Sequence, residues 1–350
     1  MAPRPIDLPR QSVSLSEADY RGSILVIALW SLCLLAAFSV SLGYQMRQKL
    51  ALVQRLDERD RLRFINEAGI KKSIIYIMKE QDRAYDALKD DWSNNPSVFK
   101  DISIDGATSN ICYNYINEQS EQLETRYGLV DEERKININK ADAAVLGRLF
   151  KVVLGCDGAE AQDLAASIVD WRDSDSGSSS PPYGAEDSYY RSLQYCYDAK
   201  DAEFEVLDEL LLVKGVSEDI FNMIKDYITI YGNGKVNVNT APKSVLLALG
   251  LSEYLAGEII SFRAGEDKVS GTADDNVFDT TSNMVVALTQ YSRLDELQIT
   301  ELTSISGQAL TTKSYNFMIK ATAKLDNRNN AALAICVASR DGKVLYWQEP

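Results

Sequence analysis

A long uncharged segment near the N-terminus dominates the pattern of apolar and polar positions. No charged side chain occurs between Gly22 and Met46, and most of these residues are apolar. At about 1.5 Å of rise per residue, a helix of this length crosses a hydrocarbon core of roughly 30 Å. The small-residue cleavage pattern of a secretory signal peptide does not follow the apolar run. The sequence therefore predicts a retained membrane anchor over residues 23–44, behind a polar leader of residues 1–22.

The helical pattern continues after the anchor. From Gln45 to about Lys89 the chain has no proline and one glycine, and its apolar residues recur mostly at spacings of three or four. This spacing places them on one face of a helix. We therefore expect one long helix that leaves the membrane and packs on a folded domain. It should end at residues 94–96, where two asparagines precede a proline.

Two similar segments, residues 135–141 (KININKA) and 235–241 (KVNVNTA), form an internal repeat. Each is followed by an apolar pattern of helical period. The Asn or Thr side chains before it can accept a backbone N–H of the first helical turn, with Pro242 at the first helical position. Between the copies, residues 207–216 predict a helix, a glycine turn and a second helix. Two matched units indicate a mostly helical domain over residues 135–265.

Strand-forming segments flank this helical region. Residues 98–116 mix short β-prone pieces with Asp and Gly turns, which is consistent with a strand or two. Residues 315–325 and 331–340 predict two longer strands, and the Asp-Gly pair at 341–342 predicts a hairpin turn. A last strand over residues 343–348 should follow that turn.

The order of these elements predicts an α+β fold. Because β structure occurs on both sides of the helical region, the helical domain is best explained as an insertion. We expect residues 45–134 to form the first part of the smaller unit, residues 135–265 the inserted domain, and residues 266–350 the returning strands.

The composition excludes several kinds of function. The chain carries 37 Lys and Arg against 51 Asp and Glu, a net charge of −14, which argues against a nucleic-acid-binding surface. It has no histidine, which excludes Ser-His-Asp and Cys-His catalysis and the commonest transition-metal ligand. A bound metal should therefore be a hard cation held by oxygen atoms.

One acidic segment offers such oxygen atoms. Its acidic residues are spaced three and two apart before a Ser- and Pro-rich loop and adjacent after it: Asp170, Asp173, Asp175, Glu186 and Asp187. Carboxylates on such a turn can converge on Ca²⁺, although the spacing is not that of an EF-hand. The alternative is a solvated acidic loop whose Asp side chains make local turns. A second loop, residues 265–276, has a similar composition and predicts a metal site less strongly.

The five cysteines leave two possibilities open. Cys33 lies in the predicted anchor, and no CxxC spacing occurs among the other four, which are Cys112, Cys156, Cys196 and Cys336. These four could form up to two disulfides on an oxidising face of the membrane, in three possible pairings. Alternatively, they are buried free thiols.

Several segments together resemble one known family. Residues 21–23, Arg-Gly-Ser, resemble the processing site of type IV prepilin-like proteins, which a prepilin peptidase cuts after glycine. Most members carry Glu at the fifth mature position, where this chain has Ile27. That departure is typical of minor pseudopilin K of type II secretion systems. Further segments resemble the same family in the same order: residues 128–139, 170–175, 184–187, 207–211 and 236–241.

The resemblance implies a fold and a location. It implies a pilin-like fold, in which a long N-terminal helix packs on a small antiparallel sheet and a large helical domain is inserted. It also implies cleavage between Gly22 and Ser23, methylation of Ser23, an anchor in the bacterial inner membrane, and a C-terminal domain in the periplasm. The basic residues of segment 47–63 would by themselves favour a cytoplasmic C-terminal side. A large acidic domain can, however, be translocated regardless of that bias.

The resemblance also implies a function without catalysis. The chain is expected at the tip of the pseudopilus with minor pseudopilins I and J, where it initiates or caps the filament during protein export. Neither nucleic acid nor a small-molecule substrate is expected. Calcium is implied near the acidic loop, with these candidate ligands: Asp170, Asp173, Asp175, Glu186 and Asp187. Ile27 fits a terminal subunit, which needs no acid to pair with the amine of a subunit above it. Alternatively, Ile27 is simply another lipid-facing residue.

Two other functions compete with this one. Membrane-anchored DNA receptors of the competence type also have one anchor and a helix-hairpin-helix unit introduced by a string like residues 237–241. In those hairpins, glycine turns and helix N-termini bind phosphate. Here residues 135–263 carry 12 basic and 20 acidic residues, which disfavours DNA binding. The third possibility is a periplasmic enzyme, which no nucleophile constellation supports.

Overall fold

The computed structural model of the protein describes residues 17–80, 83–118, 122–175, 177–326 and 330–349, with side chains from Ser23 onwards. The chain divides into two units, the first ending at Arg61 and the second beginning at Leu62. Residues 1–16 of the predicted leader lie outside the described residues.

The first unit is the N-terminal part of helix α1 (Glu17–Met78). From Ser23 onwards this helix is long and apolar enough to cross a membrane. Its apolar side chains, such as Leu25 and Trp30, are exposed. A helix with so apolar a surface is stable in lipid, where all its backbone groups are paired internally. The helix therefore agrees with the predicted anchor.

The second unit contains the rest of α1 and the remaining elements. In chain order, its strands are β1 (Ile102–Ser103), β2 (Ala107–Ile116), β3 (Leu123–Tyr127), β4 (Val130–Asp131), β5 (Ile136–Asn137), β6 (Ile228–Thr229), β7 (Val236–Asn237), β8 (Leu310–Thr311), β9 (Asn316–Leu325), β10 (Ala331–Ser339) and β11 (Val344–Gln348). Its further helices are α2 (Pro96–Phe99), α3 (Ala143–Leu154), α4 (Gly158–Arg172), α5 (Asp187–Tyr190), α6 (Glu218–Ile224), α7 (Lys243–Ala248), α8 (Glu253–Arg263), α9 (Thr281–Ser292) and α10 (Glu296–Ala309), with a 3-10 helix at Leu207–Leu212.

A seven-stranded antiparallel sheet supports the second unit. Its main strand order is β1-β2-β9-β10-β11, while β3 pairs with β2 and β4 pairs with β9. Strands β9, β10 and β11 confirm the three C-terminal strands that the sequence predicts, including the hairpin turn before β11. The sheet thus combines strands from both sides of the helical region, as an insertion requires.

One face of α1 packs on this sheet. Ile70 and Ile74 of α1 share a buried cluster with Ile111 of β2. Gly69 allows the close approach, because a Cβ at that position would lie 2.7 Å from Ser109 Oγ. The helix-on-sheet packing confirms the predicted α+β fold class.

Helix α1 ends at Met78, so the prediction of one helix as far as residues 94–96 is wrong. Tertiary hydrogen bonds hold residues 83–95 in turns. Asp86 N donates to Thr312 O over 2.8 Å, and Asp86 Oδ2 accepts from Ser314 N over 2.8 Å. Because these partners lie more than two hundred residues away in the chain, local periodicity cannot reveal them.

One hydrophobic core unites the helices from α3 to α10. It includes Leu146 of α3, Leu164 of α4, Met284 of α9 and Leu302 of α10. Residues 266–309 therefore contain two helices that share this core, where the sequence predicted returning strands. The Gly- and Asp-rich loop after α8 looks like a domain boundary, yet the apolar residues beyond it are spaced for a helix face. The exact bounds of the inserted domain stay predictions.

The two repeat copies form matching local structures. Strand β5 pairs with β6 and strand β7 pairs with β8, in both cases in parallel. In each copy an asparagine side chain closes a turn. Asn137 Oδ1 accepts from Asn139 N over 2.8 Å, and Asn237 Oδ1 accepts from Asn239 N over 3.0 Å.

The caps of the two helices after the repeats differ from the prediction. The side chain of Asp142 caps α3 by accepting a hydrogen bond from Val145 N. Pro242 precedes α7 instead of occupying its first position. The repeat asparagines are already engaged in their own turns, which is why they do not cap the helices.

The cysteines are free thiols. Cys336 is buried in β10, Cys112 and Cys156 are partly buried, and Cys196 is exposed. Of the two possibilities left open by the sequence, the structure has free thiols, most of which are not fully buried.

Candidate metal centre

Helix α4 determines where the first part of the acidic segment lies. The helix begins after Asp157, whose side chain accepts hydrogen bonds from two backbone N–H groups of the first turn. It ends at Arg172, and Asp173 follows directly. Trp171, at 3% exposure, packs edge-on against Tyr190 of α5 with ring centroids 5.1 Å apart. This contact fixes the end of α4 below the acidic loop, as expected for a core tryptophan.

Three of the five candidate ligands meet in space. One carboxylate oxygen from each of Asp173, Asp175 and Glu186 lies within 4.8 Å of the other two. Asp173 and Glu186 are half-buried, and Asp175 is exposed. The loop between residues 177 and 185 makes this possible, because it returns the chain to the end of α4 before α5 begins.

The other two candidates, Asp170 and Asp187, have different contacts. Asp170 is buried, and its two oxygens accept hydrogen bonds from Ser179 N over 2.8 Å and Ala185 N over 2.9 Å. Asp187 accepts from a backbone N–H and forms an ion pair of 2.8 Å with Arg191. Both side chains thus shape the loop, and the structure does not place them in the three-carboxylate cluster.

The electrostatics of the cluster favour a cation. Burial, followed by the charges of Asp170, Asp173 and Asp175, raises the pKa of Glu186 to about 7. Burial and the neighbouring Asp175 raise the pKa of Asp173 as well. The adjacent Arg172 donates to a backbone carbonyl, Ala141 O, instead of the cluster. Carboxylates that repel one another in this way are stabilised by a divalent ion between them.

Within the part of the chain that the structure describes, two buried oxygen atoms of the cluster have no hydrogen-bond partner. They are Asp173 Oδ1 and Glu186 Oε1. A buried acceptor without a partner costs free energy, and more so when it belongs to a charged group. The oxygen-only donor set and these two orphaned atoms fit a hard divalent cation such as Ca²⁺.

Sequence reasoning missed two residues that organise the loop, Asp163 and Lys214. Asp163 Oδ1 accepts hydrogen bonds from Gly184 N over 3.0 Å and from Lys214 Nζ over 2.9 Å. Asp163 and Asp170 are seven residues apart, which places both on one face of α4. That spacing is the signal that could have identified Asp163.

In the second acidic loop, residues 265–276, a carboxylate accepts hydrogen bonds from backbone N–H groups of the same loop. Asp274 Oδ2 accepts from Glu266 N over 2.9 Å and from Asp267 N over 3.1 Å. Within the ranges that the structure describes, its carboxylates are not among those grouped closely enough to hold a metal. The side chains of this loop therefore act as turn formers.

Comparisons with known proteins agree with this architecture. Residues 121–233 match the family model described as type II secretion system (T2SS), protein K. The chain is also 26% identical over 288 residues to type II secretion system protein K of Aeromonas hydrophila, an alignment that covers 80% of each protein. One chain in the crystal structure of the GspK-GspI-GspJ complex from the type 2 secretion system of enterotoxigenic Escherichia coli is similar in fold. The TM-score is 0.58 at 14% identity, over 87% of this chain and 99% of that chain.

The long N-terminal helix, the antiparallel sheet and the inserted helical domain define a pilin-like α+β protein. The family model and the curated relative are both described as protein K of the type II secretion system. The resemblance to minor pseudopilin K of type II secretion systems is therefore confirmed.

Proposed function

We propose that the chain is a structural minor pseudopilin of a type II secretion system, and not an enzyme. In this proposal it assembles with minor pseudopilins I and J at the tip of the pseudopilus and initiates or caps the filament during protein export. The observation that carries the proposal is the fold, which resembles one chain of the GspK-GspI-GspJ complex over 87% of the present chain.

The first unit supports a membrane location. Its helix is long and apolar enough to cross a bilayer. In this proposal prepilin peptidase cuts after Gly22, and Ser23 becomes the methylated N-terminus. Helix α1 anchors the chain in the bacterial inner membrane, and the second unit lies in the periplasm.

Ile27 supports a terminal position in the filament. It is an exposed residue of α1 and would be the fifth residue of the processed chain. In related pilins an acid at this position pairs with the N-terminal amine of a neighbouring subunit inside lipid, where an unpaired charge is costly. A subunit with Ile27 offers no such acid to a subunit above it.

The DNA-receptor alternative is not favoured. Free Lys and Arg side chains supply much of the attraction of a protein to the phosphates of DNA. The lysine of the glycine turn, Lys214, instead donates to Asp163 and Gly184 of the same chain. The family model and the curated relative also point to secretion.

Assembly of the full chain with its I and J partners tests the proposal. We would co-express the three proteins, extract them in detergent, and purify them through a tag on the J partner. We expect the chain to elute with both partners in size-exclusion chromatography, whereas a tagged major pseudopilin, used as the control bait, should not retain it. Elution of the chain apart from an intact I–J pair would contradict the proposal.

We also propose that Asp173, Asp175 and Glu186 hold Ca²⁺. The support is the convergence of three carboxylates and the two buried oxygen atoms without hydrogen bonds. The ion would neutralise their mutual repulsion and hold the loop that carries Glu186 to the end of α4. Because only the folded chain brings these residues together, binding should stabilise the fold.

A further inference from the structure

One partly exposed ion pair, Lys214–Asp163, holds both peptide groups that flank Gly184. Lys214 Nζ donates to Asp163 Oδ1 over 2.9 Å and to Gly184 O over 3.1 Å. Asp163 Oδ1 also accepts from Gly184 N over 3.0 Å. The side chains of Lys214 and Asp163 are 26% and 34% exposed, respectively. The ion pair thus holds both the N–H group and the carbonyl group of Gly184.

The position of Gly184 determines where Glu186 lies. Its φ is +100°, and a Cβ at this position would lie 2.0 Å from Asp170 Oδ2. The next residue, Ala185, donates its N–H to the same oxygen over 2.9 Å. Glu186 follows directly, so little backbone freedom remains between the anchored segment and the carboxylate of the cluster.

The turn that carries Lys214 is itself packed on α4. It connects the 3-10 helix (Leu207–Leu212) with α6, and it contains Gly215 at a φ of +82°. A Cβ on Gly215 would lie 2.9 Å from Leu164 Cδ2, and Leu164 is the neighbour of Asp163 in α4. The close packing presents Lys214 to Asp163 and leaves it little freedom to move away.

We propose that Lys214 and Asp163 are positioning residues for the cation site, so that the helix–glycine–helix turn sets the affinity of the site. The inference rests on the proposed calcium site and adds to it two residues that do not contact the ion. Partners of this kind, which orient the groups that hold a metal, typically change metal affinity by about 10- to 100-fold when they are removed.

The sign of the effect separates positioning from simple electrostatics. Lys214 is a cation, and removing a positive charge near a cation site should strengthen calcium binding by Coulomb's law. Loss of the bonds to Gly184 and Asp163 should instead weaken binding, because Glu186 is no longer held in place. A decrease in affinity after removal of Lys214 therefore identifies positioning.

Calcium titration of the full chain in detergent, after removal of metal with a chelator, tests the inference. We expect Lys214→Met to weaken binding about tenfold and Asp163→Asn to weaken it in the same direction. Lys214→Arg, which keeps a donor and the charge, should retain most of the affinity. Because the two residues act as a unit, the double variant should bind no more weakly than the weaker single variant.

Lys200→Met provides a matched control. Lys200 lies in the same domain, is 23% exposed and forms an ion pair of 2.7 Å with Glu209. Its removal should leave the affinity within about twofold of the wild-type value, because its ion-pair partner is Glu209 and not a residue of the loop that carries Glu186. An equal loss in Lys200→Met would show that any lysine matters and would overturn the inference.

The possible outcomes are distinguishable. If the wild-type chain binds no calcium, the proposed metal site fails. If it binds calcium and Lys214→Met binds equally well or more tightly, the positioning role fails. Near-UV circular dichroism reports whether each variant is folded. If Lys214→Met does not fold, Lys214→Gln decides, because it also removes the positive charge, and affinity at or above the wild-type value in that variant overturns the inference.

Discussion

Asn237 Nδ2 donates a hydrogen bond to Asp131 Oδ2 over 3.2 Å and joins two buried residues that are 106 positions apart in the chain. The same carboxylate oxygen accepts from Ser314 Oγ over 2.6 Å and from the hydroxyl of Thr240. Burial raises the pKa of Asp131. This network connects the sheet, through β4, with the second copy of the repeat.

Replacement of Asn237 should lower the free energy of unfolding more than replacement of Asn137, the equivalent residue in the first copy of the repeat. Among the residues that the structure describes, the side-chain amide of Asn137 donates to two backbone carbonyls, Tyr231 O and Gly232 O. We expect Asn237→Ala to cost about 2–3 kcal/mol and Asn137→Ala about 1–2 kcal/mol, because hydrogen bonds to charged groups contribute more. Urea unfolding at an unchanged m-value measures both costs. Equal costs would show that the bond to Asp131 contributes nothing beyond the shared turn.

Calcium should stabilise the protein through the three-carboxylate cluster. At a free concentration of about 100 times Kd, an ion that binds only the folded state adds roughly 2.7 kcal/mol. Addition of a chelator should therefore lower the Tm, and Glu186→Gln should remove most of this difference. Glu253→Gln, which changes an exposed carboxylate of the same domain paired with Lys243, should behave like the wild type. A Tm that does not respond to chelator or calcium would exclude the site.

The metal-free protein should lose stability as the pH rises. The pKa of Glu186 is raised from 4.5 to about 7 in the folded state, so the folded chain retains a proton that the unfolded chain releases. This contribution is fully present below about pH 4.5 and is lost as the pH rises through about 7. In chelator, the Tm of the wild type should therefore fall more steeply over this window than that of Glu186→Gln. Parallel pH profiles for the two proteins would contradict the assignment.

An alanine at position 184 should damage both the fold and calcium binding. The positive φ of Gly184 costs a residue with a side chain about 1–3 kcal/mol, and its Cβ would overlap Asp170 Oδ2. Gly257→Ala is the matched control, because no atom lies within 4 Å of a Cβ at that position in α8. The control should stabilise the protein by roughly 0.5–1 kcal/mol. Unfolding and calcium titrations would distinguish the two variants, and equal stability would refute the assigned backbone constraint.

Processing should leave Ser23 at the N-terminus. We expect mass spectrometry of the membrane-extracted chain, co-expressed with prepilin peptidase, to find N-methylated Ser23. Gly22→Val should block the cut by placing a branched side chain at the cleaved bond. Gly43→Val, in the same helix and with no atom within 4 Å of its Cβ, should leave the cut unchanged. An intact Met1 in the wild-type protein would refute the pseudopilin processing.

The structure corrects the sequence analysis where distant contacts outweigh local periodicity. Residues 83–95 lie within the stretch predicted as helix, yet hydrogen bonds from Asp86 to Thr312 and Ser314 hold this segment in turns. Likewise, α9 and α10 belong to the helical core because Met284 and Leu302 are buried there. Neither result is visible in a window of neighbouring residues.

The candidate metal site, too, was only partly predictable from the sequence. The spacing of the acidic residues identified the segment, but five carboxylates were candidates and three meet. Asp170 accepts two backbone N–H groups of the loop instead. Which oxygen atoms remain without partners depends on the path of the loop between residues 177 and 185, and that path depends on Asp163 and Lys214 from other parts of the chain.

By itself, the sequence determined the features whose physical causes are local. An uncharged stretch long enough to cross a bilayer specifies an anchor, alternating β-prone residues specify the C-terminal strands, and two matching strings specify the repeat. Only the tertiary structure decided where α1 ends, how far the helical core extends, and which carboxylates converge. These features depend on hydrogen bonds and packing between residues far apart in the chain, and local pattern does not encode such contacts.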